Sequence, residues 1–377
     1  MTDHLLTLNA GSSSLKFALF ARAQPAAPAF AGQVDGLGGL GGGPGARLEV
    51  RDAAGAVVHD AALAHAGATP THDDAIDAVL AWLRQRGAQV GAVGHRIVHG
   101  GMHLVQPVRI DDAVLAQIDA LTPLAPLHQP HNVAGVAAAR RAFPGLPQVA
   151  CFDTAFHAGQ PALNRRFALP QALFDAGVRR YGFHGLSYES ILAQLVAADP
   201  LRARGRLVVA HLGNGASMCA IAAGRSIATT MSFSPLDGLP MGTRCGRLDA
   251  AAVLYLLQCQ GRSADAVAQL LYHESGLLAL SGVSGDMREL MASAAPGAAL
   301  AIDYFVEHAL RELAGMVAAL RGIDTLVFTG GIGEHAAAIV QQICEGLGFL
   351  AIKEVLTIPT DEELVIARAT RRVVTRS

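Results

Sequence analysis

Residues 5–20 read LLTLNAGSSSLKFALF, two apolar runs separated by a turn of glycine and serine. The pattern predicts two strands joined by a short loop, in which Gly11 lets backbone N–H groups approach an anion closely. The hydroxyls of Ser12 and Ser14 and the ammonium of Lys16 add donors to that loop. Only two of the 29 basic residues are lysines, so the ammonium in this loop stands out. The segment predicts a phosphate site, with an ordinary polar hairpin as the alternative.

Length and composition restrict the class of protein. A chain of 377 residues is expected to form about two domains, and 51% hydrophobic residues against 16% charged ones predict large cores. No apolar run reaches the ~18–20 residues of a membrane span, and no signal peptide is visible. A net charge of −2 disfavours a nucleic-acid-binding protein, and the five dispersed cysteines disfavour disulfides and zinc. We therefore expect a cytoplasmic protein that binds neither nucleic acid nor membrane.

The opening pattern recurs at residues 207–221, LVVAHLGNGASMCAI, followed by a third strand near 225–230. In the first half, apolar spacing predicts a helix over 73–86 that buries one face and ends at Gly87. Strands are expected at about 4–9, 14–20, 28–34, 47–51, 55–59, 90–98 and 147–152 by the same periodicity. Two strand–turn–strand units at the head of two similar segments predict an internal duplication. We expect one unit in each domain and a nucleotide in the cleft between them.

A third glycine-rich segment, residues 330–334 (GGIGE), follows a predicted strand over 324–329 and precedes a helix expected from about Ala336. A strand, a glycine turn and a helix N-terminus can hold a nucleotide, although neither a complete GxGxxG nor a Walker loop is present. In residues 282–288 (GVSGDMR), Asp286 could hold a ribose or cap a helix, and Arg288 could lie against a base.

Two arginines lie in loops rich in glycine and proline, which favour positioned guanidinium groups. Arg96 stands in residues 94–101 (GHRIVHGG), and Arg244 stands in residues 235–246 (PLDGLPMGTRCG). Such groups bind carboxylates and phosphates through paired hydrogen bonds. Histidines in residues 181–185 and 126–130 add polar groups, but their spacing does not indicate a metal site.

Seven segments together resemble the acetate kinase family, and they cover nearly the whole chain in order. They are residues 9–16 (NAGSSSLK), 94–101 (GHRIVHGG), 152–157 (FDTAFH), 181–184 (YGFH), 211–215 (HLGNG), 242–246 (GTRCG) and 359–364 (PTDEEL). The resemblance implies a homodimeric cytoplasmic enzyme that reversibly converts acetate and ATP into acetyl phosphate and ADP with Mg²⁺, Mn²⁺ being an alternative.

The resemblance also implies roles for individual residues. Asn9 and Glu362 would form the metal site, Arg96 would bind the acyl substrate, and Asp153 would be the active-site carboxylate. His184 and Arg244 would stabilise the transition state. The implied ATP site comprises Ser12, Ser14, Lys16, His211, Leu212, Gly213, Asn214, Gly215, Asp286, Met287, Arg288, Gly331, Ile332, Gly333, Glu334 and His335. The implied pocket for the acetate methyl group comprises Val98, Leu127, Phe183 and Pro235.

Three details depart from or refine this picture. Gln129 and His335 stand where asparagine is common in the family, and the segment before Pro359 is shorter than usual. Thr360 and Glu363 have the spacing of a helix capping box, which gives Glu363 a structural role and leaves Glu362 as the metal-site acid.

The expected chemistry is direct in-line transfer. A carboxylic acid with a pKa near ~4–5 is ionised at pH 7, so the acceptor needs charge stabilisation and no general base. A phosphorylated carboxylate of the enzyme is the alternative mechanism.

The sequence therefore predicts two similar α/β domains of the actin-like, ribonuclease H-like class. Each domain is expected to contain one copy of a duplicated βββαβαβα-type core. The first is expected over residues 1–153 with the C-terminal helix 360–377 returning to it, and the second over 154–359. The alternatives in function are a propionate or short-chain acyl kinase of the same family and an actin-like ATPase without an acyl substrate.

Overall fold

The computed structural model describes residues 3–11, 14–37, 45–63 and 70–376. It forms two compact units, Met1–Ala155 with Asp361–Ser377, and Phe156–Thr360. Ser12 of the predicted phosphate loop lies outside the described residues. No helix in the described part of the chain is long and apolar enough to cross a membrane.

In its described residues, the first unit contains eight strands and three helices before the chain enters the second unit. Its strands are β1 (Asp3–Ala10), β2 (Ser14–Ala21), β3 (Pro28–Asp35), β4 (Arg47–Asp52), β5 (Val57–Ala62), β6 (Gln89–Ile97), β7 (Val108–Arg109) and β8 (Gln148–Phe152). Its helices are α1 (His72–Gln85), α2 (Asp112–Ala120) and α3 (Gln129–Ala142). The strands form one sheet in the order β5-β4-β3-β2-β1-β6-β8-β7.

The first sheet is covered on one face by α1. Because side chains alternate along a strand, Leu6 and Leu8 of β1 face this helix and join a core with its residues Ile76 and Leu80. The helix begins with a capping box between Thr71 and Asp74. The predicted helix over 73–86 and its apolar face are confirmed.

The second unit repeats the central part of the first. Its strands are β9 (Arg206–Leu212), β10 (Ala216–Ala222), β11 (Arg225–Thr229), β12 (Thr325–Thr329) and β13 (Glu354–Thr357). They follow the order β11-β10-β9-β12-β13, with β9 antiparallel to β10 and parallel to β12. Strands β3-β2-β1-β6-β8 of the first unit have the same order and the same directions. The predicted duplication is therefore confirmed.

The described part of the second unit contains nine helices, two before β9 and seven between its later strands. They are α4 (Gln171–Asp175), α5 (Gly185–Ala198), α6 (Ala250–Gln258), α7 (Ala264–His273), α8 (Gly276–Ser281), α9 (Met287–Ala292), α10 (Pro296–Leu320), α11 (Gly330–His335) and α12 (Ala337–Gly346). Short 3₁₀ turns occur at Thr122–Leu124, Ala155–His157, Ala162–Arg165 and Arg202–Arg204.

The glycine segment after β12 differs from the prediction, because it is the helix α11 and not a loop. Gly330 has φ of +79°, which allows the sharp turn from strand to helix. The carboxylate of Glu334 then accepts hydrogen bonds from the backbone N–H of Gly330 at 2.8 Å and from the hydroxyl of Thr329 at 3.2 Å. These bonds provide partners for polar groups at the start of the helix. A glycine-rich composition alone does not reveal that the segment is a helix stabilised in this way.

The last helix, α13 (Glu362–Val374), packs on the other face of the first sheet. Its residue Ala367 joins a core with Leu5, Phe20 and Ala92. The capping box predicted for Thr360 and Glu363 is wrong. The helix starts one residue later than that spacing assumed, and the side chain of Asp361 caps it by accepting from the Leu364 N–H at 2.9 Å.

Gly94 in β6 sets how closely α13 approaches the sheet. A Cβ atom at this position would lie 2.2 Å from Thr370 Oγ1 and 2.6 Å from Ile366 Cγ2. We expect Gly94→Ala to lower the free energy of unfolding by about 2 kcal/mol, because the helix must move away from the sheet. Urea unfolding measures the change, with Gly159→Ala as the control, since a Cβ there meets nothing within 4 Å. Equal stability of the two variants would contradict this account of the packing.

Candidate active site

The carboxyl ends of β6 and β8 bring Arg96 and Asp153 together in the first unit. Asp153 directly follows β8, and its backbone N–H bonds to the carbonyl of Ile97 at 3.0 Å. Arg96 donates to Asp153 from Nε at 3.1 Å and from Nη2 at 2.6 Å, while its Nη1 donates to Asn9 Oδ1 at 3.1 Å. The Asp153 side chain is 1% exposed. A carboxylate this deeply buried needs a paired cation, and Arg96 supplies it.

Two further acids reach the same cluster from the start of α13. Asn9 Nδ2 lies 3.2 Å from Glu362 Oε2 and 3.5 Å from Glu363 Oε1. Desolvation raises the pKa of Glu362 to about 7, and although Arg96 opposes this shift, Asp153 and Glu363 add to it. Burial would lower the pKa of Arg96, but the charges of Asp153 and Glu362 outweigh it and hold that pKa above its usual value. The cluster therefore contains more negative charge than its one arginine balances.

This donor set fits a magnesium ion that arrives with phosphate better than a permanently held metal. Mg²⁺ is typically bound by one or two carboxylates, several waters and substrate phosphates. Glu362 offers such a carboxylate, and its raised pKa indicates a site that favours added positive charge. In the described parts of the chain, no group of three or more His, Cys, Asp or Glu side chains could hold a metal by itself. As placed, Asn9 turns its nitrogen toward Glu362, so it positions that acid and does not itself present an oxygen.

The loop after β1 is held by two side chains that the sequence analysis did not single out. His72 Nε2 bonds to the carbonyl of Gly11 at 2.6 Å, and Asn132 Nδ2 donates to the carbonyl of Ala10 at 3.2 Å. Asn132 Oδ1 also accepts from the backbone N–H of Val98 at 2.9 Å. Asn132 thus links the predicted phosphate loop to the end of β6. The three segments are far apart in the sequence, so no short motif predicts these contacts.

Other predicted residues of the first unit lie at different depths. Val98 is buried and Leu127 is partly exposed. Lys16 is exposed and borders a surface pocket of ≈ 400 Å³ with Asp361 and Glu363. Ser14 is the first residue of β2, and its carbonyl accepts from the Gly11 N–H at 2.8 Å, which closes the hairpin turn.

In the second unit, two histidines are anchored in a reciprocal manner. His184, before α5, bonds through Nδ1 to Ser217 Oγ of β10 at 2.8 Å. His211, at the end of β9, bonds through Nδ1 to Ser187 Oγ of α5 at 2.8 Å. The two ring centroids lie 4.3 Å apart, and the ring planes are tilted by 30°. The helix and the sheet therefore fix each other's imidazole rings.

The backbone at His184 is held in an uncommon conformation. Its φ of +57° lies in the left-handed region, which costs a non-glycine residue on the order of 1 kcal/mol. The preceding carbonyl of Phe183 bonds to the buried His157 Nε2 at 2.9 Å. Burial lowers the pKa of His157 to about 4, so His157 is neutral at pH 7. Phe183 and Pro235, which are predicted to line the methyl pocket, are both buried in the second unit.

Arg244 lies beside the same histidine. Its Nη1 donates to the carbonyl of Pro235 at 3.0 Å, which ties together the two ends of the loop that contains both residues. A Cβ added to Gly215 would lie 3.3 Å from His184 Nε2 and 3.8 Å from Arg244 Nη1. The hairpin glycine thus borders both groups, and the structure brings together three residues that the sequence analysis placed in one site.

A pocket of ≈ 520 Å³ collects half of the residues of the predicted nucleotide site. Of those residues, it is lined by Gly213, Asn214, Asp286, Met287, Arg288, Gly331, Ile332 and His335. Its volume lies within the range of small-molecule and cofactor sites. Gly285, Met291 and Ala336 also line it and were missed, because single small or apolar residues carry no motif.

Several predicted nucleotide residues have structural partners, among them Asp286, which also lines that pocket. Leu212 and Gly333 are buried, and Glu334 bonds to the start of α11. For Asp286, the alternative of a helix cap is observed, since its Oδ1 accepts from the Arg288 N–H at 2.8 Å. The same carboxylate also pairs with the exposed guanidinium of Arg288.

Comparison with known proteins gives one consistent family. The model of the acetokinase family matches residues 4–355. Acetate kinase of Methylocella silvestris is 48% identical, and the match covers 98% of each chain. A propionate kinase structure from Francisella tularensis has a TM-score of 0.88 at 32% identity, covering 98% of this chain and 100% of that one. The Porphyromonas gingivalis acetate kinase structure has a TM-score of 0.84 at 33% identity, covering 99% and 100%. The predicted actin-like α/β fold is confirmed, and the chain belongs to the acetokinase family.

Proposed function

We propose that this protein transfers the γ-phosphoryl group of ATP to acetate, reversibly and by direct in-line transfer. The observation that carries the proposal is that each unit holds a positioned arginine: Arg96 in the first unit is bonded to a buried carboxylate, and Arg244 in the second unit borders a histidine and a glycine hairpin. An ATPase without an acyl substrate has no need of a buried carboxylate-recognising group. Relatives at 40–48% identity named acetate kinase support the acyl substrate.

The chemistry follows from charge. Acetate is already an anion at pH 7, and it must approach a phosphoryl group that is also negative, so the main barrier is repulsion. Arg244 and the Nε2 side of His184 would stabilise the charge on the transferring group. No base is required, so Asp153 acts by holding Arg96 in place and not by removing a proton.

Arg96 is suited to receive the carboxylate of acetate. Asp153 and Asn9 occupy three of the five N–H bonds that a guanidinium carries. The remaining two lie on Nη1 and Nη2, which together form the outer edge that can bind a carboxylate. The ion pair with Asp153 fixes the direction of that edge.

Glu362 and Glu363 would hold Mg²⁺ that enters with ATP, and Asn9 would orient Glu362. When bound, the metal supplies positive charge to the phosphate oxygens and to this acid-rich cluster. In the second unit, the pocket beside Gly213 and Gly331 would hold the adenosine part of the nucleotide, with Met287 and Ile332 as its apolar surface.

A second candidate is propionate as the preferred acceptor. A solved propionate kinase with a TM-score of 0.88 supports it, because the two substrates differ by one methylene group. We favour acetate, since the sequence relatives at higher identity are acetate kinases.

We further propose that the protein is a cytoplasmic homodimer. The apolar helix α6 supports a partner, because none of its residues is buried in the single chain, and Leu254 and Tyr255 are 51% and 56% exposed.

The activity is tested by trapping the acyl phosphate as its hydroxamate with ATP, Mg²⁺ and either acetate or propionate. We expect product with both acids and a higher kcat/KM for acetate, by a factor of about 5–100, because one methylene changes binding by ~1–3 kcal/mol. Chelation of Mg²⁺ should abolish product. A preference for propionate would establish the second candidate, and ATP hydrolysis without any hydroxamate would establish the ATPase alternative.

Arg244→Ala should lower kcat/KM by roughly 10²–10⁴-fold without unfolding the protein, because it removes charge stabilisation from the transition state. Arg262→Ala, which removes an exposed arginine of the same unit, is the matched control. Arg96→Ala is a less clean variant, since it also leaves the buried Asp153 unpaired and should cost about 3–5 kcal/mol of stability. Near-normal turnover of folded Arg244→Ala would remove this arginine from the reaction centre.

Val98→Ala tests the acyl pocket. Val98 follows the end of β6 two residues after Arg96, and it is buried. Loss of two methyl groups should shift kcat/KM toward propionate by about 5- to 20-fold, mainly through KM. Measuring both acids on both proteins gives the ratio, and an unchanged ratio would exclude Val98 from the pocket.

A further inference from the structure

The side chain of Asn132 connects the ends of two neighbouring strands in the first unit. The pairing of β1 with β6 ends at Leu8 and His95, although both strands continue past these residues. Beyond that point the two strands are linked by Asn132 of α3. Its Nδ2 donates to the carbonyl of Ala10 at 3.2 Å, and its Oδ1 accepts from the backbone N–H of Val98 at 2.9 Å. A side-chain amide thus joins the two strands where their direct pairing has ended.

The two partners of Asn132 fix the orientation of its amide. A backbone carbonyl can only accept a hydrogen bond and a backbone N–H can only donate one, so Nδ2 must face Ala10 and Oδ1 must face Val98. Asn132 is 2% exposed, so its polar atoms depend on these two partners and not on water. An aspartate of the same shape would lack the donor, and a leucine would lack both groups. The position therefore requires a neutral donor and a neutral acceptor on one side chain.

Other residues in the first turn of α3 hold the same two segments. Gln129 Nε2 donates to the carbonyl of His99, just after the end of β6, at 3.0 Å. At the other segment, the ring of His131 stacks on the ring of His72 with centroids 4.4 Å apart, and His72 Nε2 bonds to the carbonyl of Gly11 at 2.6 Å. The start of α3 therefore supports both segments, and the asparagine is the residue that bonds to each of them directly.

The two segments carry different parts of the proposed reaction. The end of β6 contains Arg96, which is proposed to bind the acyl carboxylate, and Ala10 begins the predicted phosphate loop. Arg96 Nη1 also donates to the side chain of Asn9, directly before Ala10, at 3.1 Å. Phosphoryl transfer requires the reacting atoms to lie about 3–3.5 Å apart and in line. A displacement of ~1 Å between the two segments would therefore slow the transfer even if each substrate still binds.

We propose that Asn132 is a positioning residue, which holds the predicted phosphate loop after β1 and the acyl-binding end of β6 in one fixed relative position. The inference deepens the proposed function and rests on it for the identity of the two ligands. The hydrogen bonds of Asn132 are present without substrate, so the positioning can be measured separately from the reaction.

Amide hydrogen exchange of the substrate-free protein tests the positioning directly. In Asn132→Ala we expect the amides of Val98 and Gly11 to exchange about 3- to 10-fold faster, because Val98 loses its acceptor and the loop loses its bond at Ala10. In Asn132→Asp the carboxylate still accepts from Val98 but cannot donate to Ala10. The Gly11 amide should then exchange faster while the Val98 amide keeps its protection.

The dependence of kcat on pH separates positioning from general packing. At pH 8, Asn132→Ala and Asn132→Asp should both lower kcat by about 10- to 100-fold, while the KM values for acetate and ATP change less than about 3-fold. Burial raises the pKa of the introduced carboxyl, so it takes up a proton as the pH falls to 6. The neutral acid can then donate to Ala10 and accept from Val98, as the amide does. The kcat of Asn132→Asp relative to Asn132→Ala should therefore rise at least about 5-fold between pH 8 and pH 6.

Three controls accompany these measurements. Dividing by the kcat of Asn132→Ala at each pH removes the contribution of other titrating groups, among them the neighbouring His72 and His131. The fluorescence of Trp82, the single tryptophan of the chain, reports whether the core of the first unit is folded in each variant. Asn164→Ala removes an asparagine whose Nδ2 donates to a carbonyl of β11 in the second unit, and it should leave kcat and both amides of the first unit unchanged.

Two results would overturn the proposal. One is a folded Asn132→Asp whose kcat is normal at pH 8 or equally impaired at pH 8 and pH 6, and this comparison decides even if Asn132→Ala does not fold. The other is unchanged exchange of the Val98 and Gly11 amides in folded Asn132→Ala. If the amides exchange as expected but the unaltered protein forms no acyl phosphate with any acid, the proposed function fails and the positioning of the two segments stands.

Discussion

The ion pair between Arg96 and Asp153 is the constraint on which the acid-rich end of the first unit depends. Asp153 is buried at the end of β8, and Glu362 and Glu363 approach the same point from α13. Without a guanidinium among them, these acids would repel one another or take up protons. Burial, together with the charges of Asp153 and Glu363, still raises the pKa of Glu362, although Arg96 opposes the shift. An additional cation would therefore stabilise this acidic cluster of the first unit.

The same constraint explains why α13 returns to the first unit. Its apolar face covers the sheet, and its first turn delivers Glu362 to Asn9, a residue of the opening strand. Gly94 keeps the helix close enough for that contact, because any side chain there would collide with Thr370. The distance between helix and sheet thus determines where the Glu362 carboxylate is held.

Much of this architecture could be predicted from the sequence, because the decisive signals are local. The hairpin of residues 5–20 and its repeat at 207–221 follow from alternation and glycine turns, and they predicted the duplicated sheets. Family motifs predicted Arg96, Asp153, His184 and Arg244, but not that Asp153 would hold Arg96. The start of α13 was predicted one residue too early, since Thr360 and Asp361 are both good caps and tertiary contacts decide between them. The bonds of Asn132 and Ser217 join segments far apart in the chain, so no local pattern contains them.

The two units hold polar groups in different ways. The first unit brings full charges together, with Arg96, Asp153 and Glu362 in one cluster. The second unit combines the guanidinium of Arg244 with two closely spaced, mutually tilted imidazole rings whose Nδ1 atoms bond to serine hydroxyls. Because Gly213 and Gly215 have no side chains, the Nε2 faces of both rings can lie against the hairpin. A β-carbon at Gly215 would already be closer to His184 Nε2 than most side-chain contacts allow, which makes this glycine a condition for the orientation of the histidine.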